Sequence, residues 1–530
     1  MQLRLRRSLS ALAIAGPRRA LALGLGLALA LGVAGTHLLL YAPYTADDAF
    51  ISFRYARNFA LGNGLVFNPG ERVEGYSTFS WVVLLGLLNR AGLDIALTAK
   101  LLNGAIALAT VLLTGLLGRH LVAQPPDTAD TPAFFAGLPW AALLLAGDAA
   151  FGYWSANGME MPLVALLLLA GGALHLRELE RGGPPLSALV FGALALTRPE
   201  GAFFGGLTLL HRLAAGGDPA SLPAALHPVA IARRLWDQRG WIGLFLLVLA
   251  PFLLWRYSYY GQWVPNTVVV KTGPSLRSLL EGGLTVYLFV SARAAVLLLV
   301  GLGLLATRRW WAKPWMGYAV LLLLGNGVFV TLAGGDWMPL DRFWVLMLPW
   351  LYLLASAAPP TLAQQWGPTA RRWHGALPAL LLALGLAGSL MTRLTTNTPS
   401  INNASPAASR WLREVARPGD VVATTNIGAV GYYNMDLVIL DMIGLTDAHI
   451  ARTPARFPGG LLASGNGFGH WDTDYVLARR PRFVEMAGVT REQAEQWAGR
   501  PAWVGAAELY QRPEFRQQYQ YGDMSFFVLK

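Results

Sequence analysis

Uncharged apolar runs dominate this chain. Ala20–Leu40, Leu101–Leu117, Trp241–Trp255, Ala294–Ala306 and Leu377–Leu390 contain no Asp, Glu, Lys or Arg. A hydrocarbon slab about 30 Å thick requires roughly 18 to 20 such residues in a helix. The first run exceeds that length, and the others approach it once their flanks are counted. A chain of 530 residues has room for three or four soluble domains, but the composition argues otherwise. It is 54% hydrophobic and 14% charged, against about 45–50% and about 25% for soluble domains. The fold class expected is a polytopic α-helical membrane protein.

The formal charge of +12 raises nucleic acid as a partner, and the placement of the charges argues against it. The arginines sit in short clusters between apolar runs, as the positive-inside rule requires of a membrane protein. There is no cysteine, so no disulfide or thiolate metal site is available. Arg4, Arg6, Arg7, Arg18 and Arg19 precede the first run, which is too long for a signal-peptide core and reads as an uncleaved first span.

With those arginines in the cytoplasm, the first span delivers Tyr44–Tyr76 to the outside. Ser77–Leu88 is about two-thirds of a span and reads as a juxtamembrane helix in the outer interface. That choice puts Arg119/His120, Arg177/Arg181, Arg212–Arg239, Arg308/Arg309/Lys313 and Arg371/Arg372 inside; the opposite choice exports them all. The reading gives about eleven spans, of which the fifth and sixth (Leu186–Leu196 and Gly201–Leu210) are short enough to be broken. Residues 1–393 are then the membrane domain, with residues 42–96 as a long outer loop. Residues 394–530 carry charges of both signs and read as an outer α/β domain. In it Val421–Thr425 and Leu437–Asp441 are strands, and the Gly-punctuated Asn426–Tyr433 is the turn and helix between them.

The densest polar patch follows the first span, at Tyr44–Asn58. Thr45 and Asp48 approach a capping box. On the helix that follows, Asp47, Ile51, Arg54 and Asn58 share one stripe, and Asp48, Ser52, Tyr55 and Phe59 share the next. Carboxylates so placed suit a general base and a cation stabiliser, and arginines suit phosphate. The plainer alternative is that Asp47 and Asp48 only cap the helix and favour its dipole. The glycine-rich Gly62–Tyr76 either wraps a ligand or merely connects. Further polar groups fall at outer span ends: Trp154/Asn157/Glu160, Arg198-Pro199-Glu200, Tyr259–Thr267 with Lys271, and Gly334–Trp337 with Arg342. Singly each reads as a belt or snorkelling residue; together they resemble the lining of one cavity. Gly24-Leu25-Gly26 is a packing feature of an apolar span, the eight histidines show no ligand spacing, and Asn403-Ala404-Ser405 is a chance-length acceptor triplet.

The block Asp47-Asp48-Ala49-Phe50-Ile51-Ser52-Phe53-Arg54-Tyr55-Ala56-Arg57-Asn58, continued by Gly64–Tyr76, resembles membrane glycosyltransferases of the GT-C class, and most closely terminal arabinofuranosyltransferases of mycobacterial type. The likeness continues through Asn157–Leu163, Thr197–Gly201, Tyr259–Gly261, Pro265–Thr267 with Lys271, Gly334–Asp336 and Asp441–Asp447. The resemblance implies a GT-C fold at a bacterial cytoplasmic membrane, with its cavity and C-terminal domain on the periplasmic side. It implies a decaprenyl- or undecaprenyl-phosphoryl arabinofuranose donor, and a cell-envelope glycan or a surface protein as acceptor. It assigns the catalytic carboxylate to Asp47 or Asp48, with Asp47 preferred because it shares a stripe with Arg54. Arg54, Lys271 and Arg342 are nominated for the lipid phosphate. Arg57, Tyr55, Glu74, Tyr76, Glu160, Arg198, Glu200, Tyr260, Asn266 and Asp336 complete the expected donor site. No cofactor is fixed; a divalent metal, if used, would fall to Asp48 and Glu160. The competing reading is a transporter or flippase of lipid-linked sugars, for which the sequence lacks paired repeats and interrupted helices.

Overall fold

The computed structural model describes residues 17–122, 133–215, 228–271, 276–307, 309–336, 338–366, 376–395, 406–456 and 469–530. Arg4, Arg6, Arg7, Arg308, Trp337, Arg371, Arg372 and the Asn403–Ser405 triplet lie outside the described residues.

Each long apolar run becomes a helix. The first is Pro17–Tyr41, 25 residues, which at 1.5 Å per residue is about 38 Å long and clears the hydrocarbon slab. Ile95–Leu121, Met161–Arg181, Arg239–Tyr260, Pro314–Leu332 and Arg342–Trp366 also have the length and apolar character to cross. Leu276–Ala292 and Ala294–Thr307 form a pair bent by 81° and count together as a seventh. The protein is a multi-pass membrane protein.

By length and composition the described residues therefore give six or seven spans, fewer than the eleven expected, and the difference has local causes. Residues 133–154 form three short helices, Ala133–Gly137, Trp140–Ala146 and Ala149–Trp154. Pro139 precedes the second of them and Asp148 caps the third through the Phe151 N–H, so no single helix runs through. Ser187–Thr197 and Glu200–Ala215 are separated at Arg198-Pro199, where the proline forces Arg198 into extended backbone (φ −151°). The 12-residue helix Phe79–Arg90 falls where a short helix, Ser77–Leu88, is expected. It buries Trp81, Val82 and Leu85 and leaves Leu84 and Leu87 exposed.

The tail holds a five-stranded sheet in the order β2-β1-β3-β5-β4. β1 (Val421–Thr424) pairs in parallel with β2 (Val438–Asp441) and with β3 (Phe483–Glu485), and the helix Ile427–Tyr433 lies between β1 and β2 in sequence. β5 (Phe526–Leu529) runs antiparallel to β3 and to β4 (Tyr519–Tyr521). The period of two sorts the strand residues between two faces. Val422, Ile439, Phe483 and Phe526 join a core continuous with the membrane domain. Ala423, Leu440, Val484 and Phe527 face a separate core with Leu509, Tyr510 and Phe515.

Candidate functional site

A cavity of about 370 Å³ opens where the first-loop helix Asp47–Ala60, the tail and several span ends meet. Its polar wall is built from three places in the sequence. Glu160 is the N-cap residue of Met161–Arg181, and Glu200 begins the helix after Pro199; both are N-terminal positions that favour a carboxylate. The extended Arg198 lies between them, and its guanidinium takes Glu160 Oε1 at 2.6 Å and Glu200 Oε1 at 2.5 Å. On the other side, Gly334 and Gly335 adopt positive φ (80° and 81°), a turn that brings Asp336 against Arg342. That pair is bidentate, with Nε and Nη2 each 2.8 Å from a carboxylate oxygen. Phe343 lies between the two groups, its ring centre 5.7 Å from the Arg198 guanidinium and 5.1 Å from that of Arg342.

Asp48 faces this wall. Its Oδ2 is 3.5 Å from Arg342 Nη1, and its side chain is 21% exposed. Among the cavity carboxylates it is the loosest held: Glu160, Glu200 and Asp336 each accept a short charged hydrogen bond. One turn along, Ser52 shares a hydrogen bond of 3.1 Å with Thr78, and both line the cavity. Phe203, Val268, Phe329 and Ala333 make the rest of the wall apolar.

Seven of the expected site residues line the cavity: Asp48, Tyr76, Glu160, Arg198, Glu200, Asp336 and Arg342. The others are employed elsewhere. Asp47, preferred on its stripe, points into the tail and accepts the backbone N–H of Gly428 (3.0 Å) and of Ala429 (2.9 Å), the N-terminus of the helix between β1 and β2. Burial pushes its carboxyl up to about 6, against the pull of those two N–H groups. Arg54, nominated for phosphate, is fully buried and donates to the carbonyls of Phe67, Gly431, Asn434 and Leu437 and to Asn68 Oδ1. Arg57 is exposed beside the Tyr432 ring. The Tyr55 hydroxyl donates to Val73 O and accepts from Gly75 N–H. Glu74 pairs with Arg256 at 3.0 Å, and burial raises its carboxyl to about 7 despite that partner. Tyr260 donates to Leu65 O (2.7 Å) and meets the Tyr76 hydroxyl at 3.1 Å. Asn266 donates to the carbonyls of Gly444 and Leu445. The side chain of Lys271 lies outside the described residues.

Of the lining residues that sequence reasoning did not name as site residues, two shape the wall most directly. Phe343 follows Arg342 directly, a guanidinium beside an aromatic ring. Leu445 brings the tail into the cavity wall; its loop is shaped by Asp441, whose carboxylate accepts the N–H groups of Ile443, Gly444 and Thr446. The same loop is held by Asn266 and packs on Gly75, whose missing Cβ leaves room for Leu445 O and Thr446.

Among the described residues, no three histidine, aspartate or glutamate side chains gather as a metal site. Of the pair Asp48 and Glu160, the second is bound to a guanidinium. The donor set does not fit a divalent ion.

Parts of this chain are similar to known proteins. Over 243 residues, 43% of this chain, the sequence is 31% identical to a terminal β-(1→2)-arabinofuranosyltransferase of Mycobacterium tuberculosis. Over 256 residues it is 30% identical to the protein of the same name from Corynebacterium glutamicum. The chain is a relative of these arabinofuranosyltransferases. The matched stretches are 35% and 33% of those proteins, so the chain covers about a third of their length. A family model described as a domain of unknown function, DUF8728, matches residues 396–527. Among solved structures, ArnT from Cupriavidus metallidurans bound to undecaprenyl phosphate aligns with a TM-score of 0.47 at 13% identity, covering 78% of this chain and 85% of that one.

Proposed function

We propose that this chain is a GT-C-type glycosyltransferase that moves a sugar, arabinofuranose in the first instance, from a polyprenyl-phosphate donor to a cell-envelope glycan on the periplasmic face of a bacterial cytoplasmic membrane. The observation that carries the reading is the juxtaposition of Asp48 with Arg342 in a cavity whose far wall is apolar. The activity for which its relatives are named supports the sugar and the transfer.

In this reading the Asp48 carboxylate takes the proton of the acceptor hydroxyl as that oxygen bonds to the anomeric carbon. The bond from the anomeric carbon to the phosphate oxygen breaks, and its electron pair leaves with the polyprenyl phosphate. Arg342, held flat by the bidentate grip of Asp336, presents its Nη1 edge beside Asp48, where a leaving phosphate gains charge. Arg198, held between the Glu160 and Glu200 carboxylates, fixes the polar wall on the other side of Phe343. The apolar wall suits the first isoprene units. The tail contributes Leu445 next to the acceptor's approach, consistent with a role in acceptor binding.

The test is transfer from a synthetic short-chain polyprenyl-phosphoryl arabinofuranose by the purified protein. Asp48→Asn is expected to cut kcat by about 10²–10⁴, the usual worth of a general base, with the protein still folded. Asp47→Asn is expected to lower stability first and keep transfer in the molecules that remain folded. Transfer unchanged in Asp48→Asn refutes the assignment. No transfer by the wild type across several sugar donors would return the chain to the transport reading.

A further inference from the structure

Two consecutive non-glycine residues, Leu340 (φ 59°) and Asp341 (φ 51°), adopt left-handed backbone immediately before Arg342. That conformation is unfavourable for both side chains and persists only where the surroundings impose it. Both restraints are visible. The Leu340 carbonyl accepts the indole N–H of Trp154 at 3.0 Å. The Asp341 carboxylate is gripped by Arg293 Nη1 at 2.5 Å.

Arg293 itself occupies the break between the two helices bent by 81°. Its second Nη reaches Asp148 at 3.3 Å, and Asp148 is fixed in turn by the Tyr352 hydroxyl at 2.7 Å and the Phe151 N–H at 3.0 Å. The Arg293 guanidinium also lies 4.6 Å from the Phe289 ring centre, and Phe289 stacks on Trp344 at 3.9 Å, two residues beyond Arg342. The break in the membrane helix therefore grips the chain on both sides of Arg342. Arg293 is not part of the cavity wall, so it has no direct path to a substrate.

We infer that Arg293 is a positioning residue: through Asp341 it holds the strained turn that aims the Arg342 guanidinium at Asp48 and at a phosphate-bearing ligand. The inference rests on the proposed reading for the identity of that ligand, and on the turn's own geometry for the rest. Loss of the Arg293–Asp341 pair lets Asp341 relax from the left-handed region and lets Arg342 withdraw along with it.

Two measurements on the full-length protein in detergent or nanodiscs test this. The first is a cryo-EM structure of Arg293→Gln, with Asp341→Asn as the second variant should the first fail to fold. Asparagine tolerates left-handed backbone but cannot form the ion pair, so that variant is read at Arg342 and not at the φ of residue 341. The expected result is an Arg342 Nη1 displaced from Asp48 in either variant, with the Asp341 φ outside the left-handed region in Arg293→Gln. An unmoved Arg342 guanidinium in whichever variant folds overturns the inference, whatever the substrate is. The second is binding of undecaprenyl phosphate alone, with Kd expected to rise about tenfold in Arg293→Gln and no further in Arg293→Gln with Arg342→Gln than in Arg342→Gln alone. In a transfer assay the donor KM follows Kd, whereas a merely structural defect lowers the active fraction and leaves KM unmoved. Unchanged Kd and KM in folded Arg293→Gln also overturn the inference. A turn that moves in a protein whose wild type binds no polyprenyl phosphate refutes the proposed donor and supports the positioning role.

Discussion

Arg54 tests the division between cavity and scaffold most sharply, because its sequence position suits a phosphate and its surroundings do not. It donates to three carbonyls of the tail: Gly431 at 2.5 Å, Asn434 at 3.1 Å and Leu437 at 2.8 Å. It also grips Phe67 O at 2.7 Å on its own loop. Burial lowers its pKa to about 10, still far enough above neutrality to keep the charge. Hydrogen bonds from a charged donor contribute about 1.5–3 kcal/mol each, so the three tail contacts bound the loss in Arg54→Leu at roughly 5–9 kcal/mol. Removing the guanidinium also removes its own burial cost of several kcal/mol, which brings the net loss to about 3–5 kcal/mol. Arg54→Lys is expected to restore little, since an ammonium cannot fork to carbonyls lying in several directions. Thermal unfolding in detergent measures the loss, and limited proteolysis shows whether the tail has come away from the first loop. The reasoning is refuted if Arg54→Leu keeps its melting temperature and its protected tail while undecaprenyl-phosphate affinity falls tenfold. That pattern would return Arg54 to the phosphate.

Two further outcomes follow from the same interface. Burial raises Asp47 and Asp441 to about 6 and Glu74 to about 7; between about pH 4 and these values the folded chain holds protons that the unfolded chain has released. These groups therefore make stability greatest at the acid end and lower it as pH rises through 6 to 7, so the melting temperature should fall from pH 5 to pH 7.5, with a shallower slope in Asp47→Asn. In Gly428→Ala the new Cβ meets the backbone oxygen of Asp47 and lies 2.7 Å from its carboxyl carbon. Tail docking should weaken by about 1–3 kcal/mol, the usual cost of overpacking, read as faster proteolysis of the tail.

The parts legible in the sequence are those governed by local pattern. Apolar length gave the long helices, and the pattern from Asp47 to Asn58 gave the first-loop helix, because both depend on neighbours in the chain; the expected Thr45–Asp48 cap does not form, and Ala46 stands at the N-cap with no side-chain hydrogen bond. The strands at Val421–Thr424 and Val438–Asp441 were also legible, since β-branched runs flank a glycine turn. β3 and β4, at three residues each, are too short to declare themselves, and β5 depends on pairing with both. That Asp47 turns to the tail was beyond local reasoning, because its partners lie more than 380 residues away at Gly428 and Ala429. The tail carbonyls that Arg54 meets were out of reach for the same reason. The carboxylates and guanidiniums at span ends were legible as a group, since a charge at membrane depth needs a partner. Arg293 and Asp148 carried that same signal, each set between apolar runs, and went unread.

The grip of Asp47 and Arg54 on the helix after β1 ties the front of the chain to its end. Contacts at such sequence separation form only after the intervening chain is in place, because their loop-closure entropy must be met first. Leu445 can therefore close the cavity wall only after residues 60–420 have been made. A chain halted between Phe343 and the Asp441–Asp447 loop carries Asp48, Arg198 and Arg342 in full yet leaves their cavity without Leu445. Assembly of the site is thus a late event in the protein's biogenesis, and a shortened chain has no finished cavity.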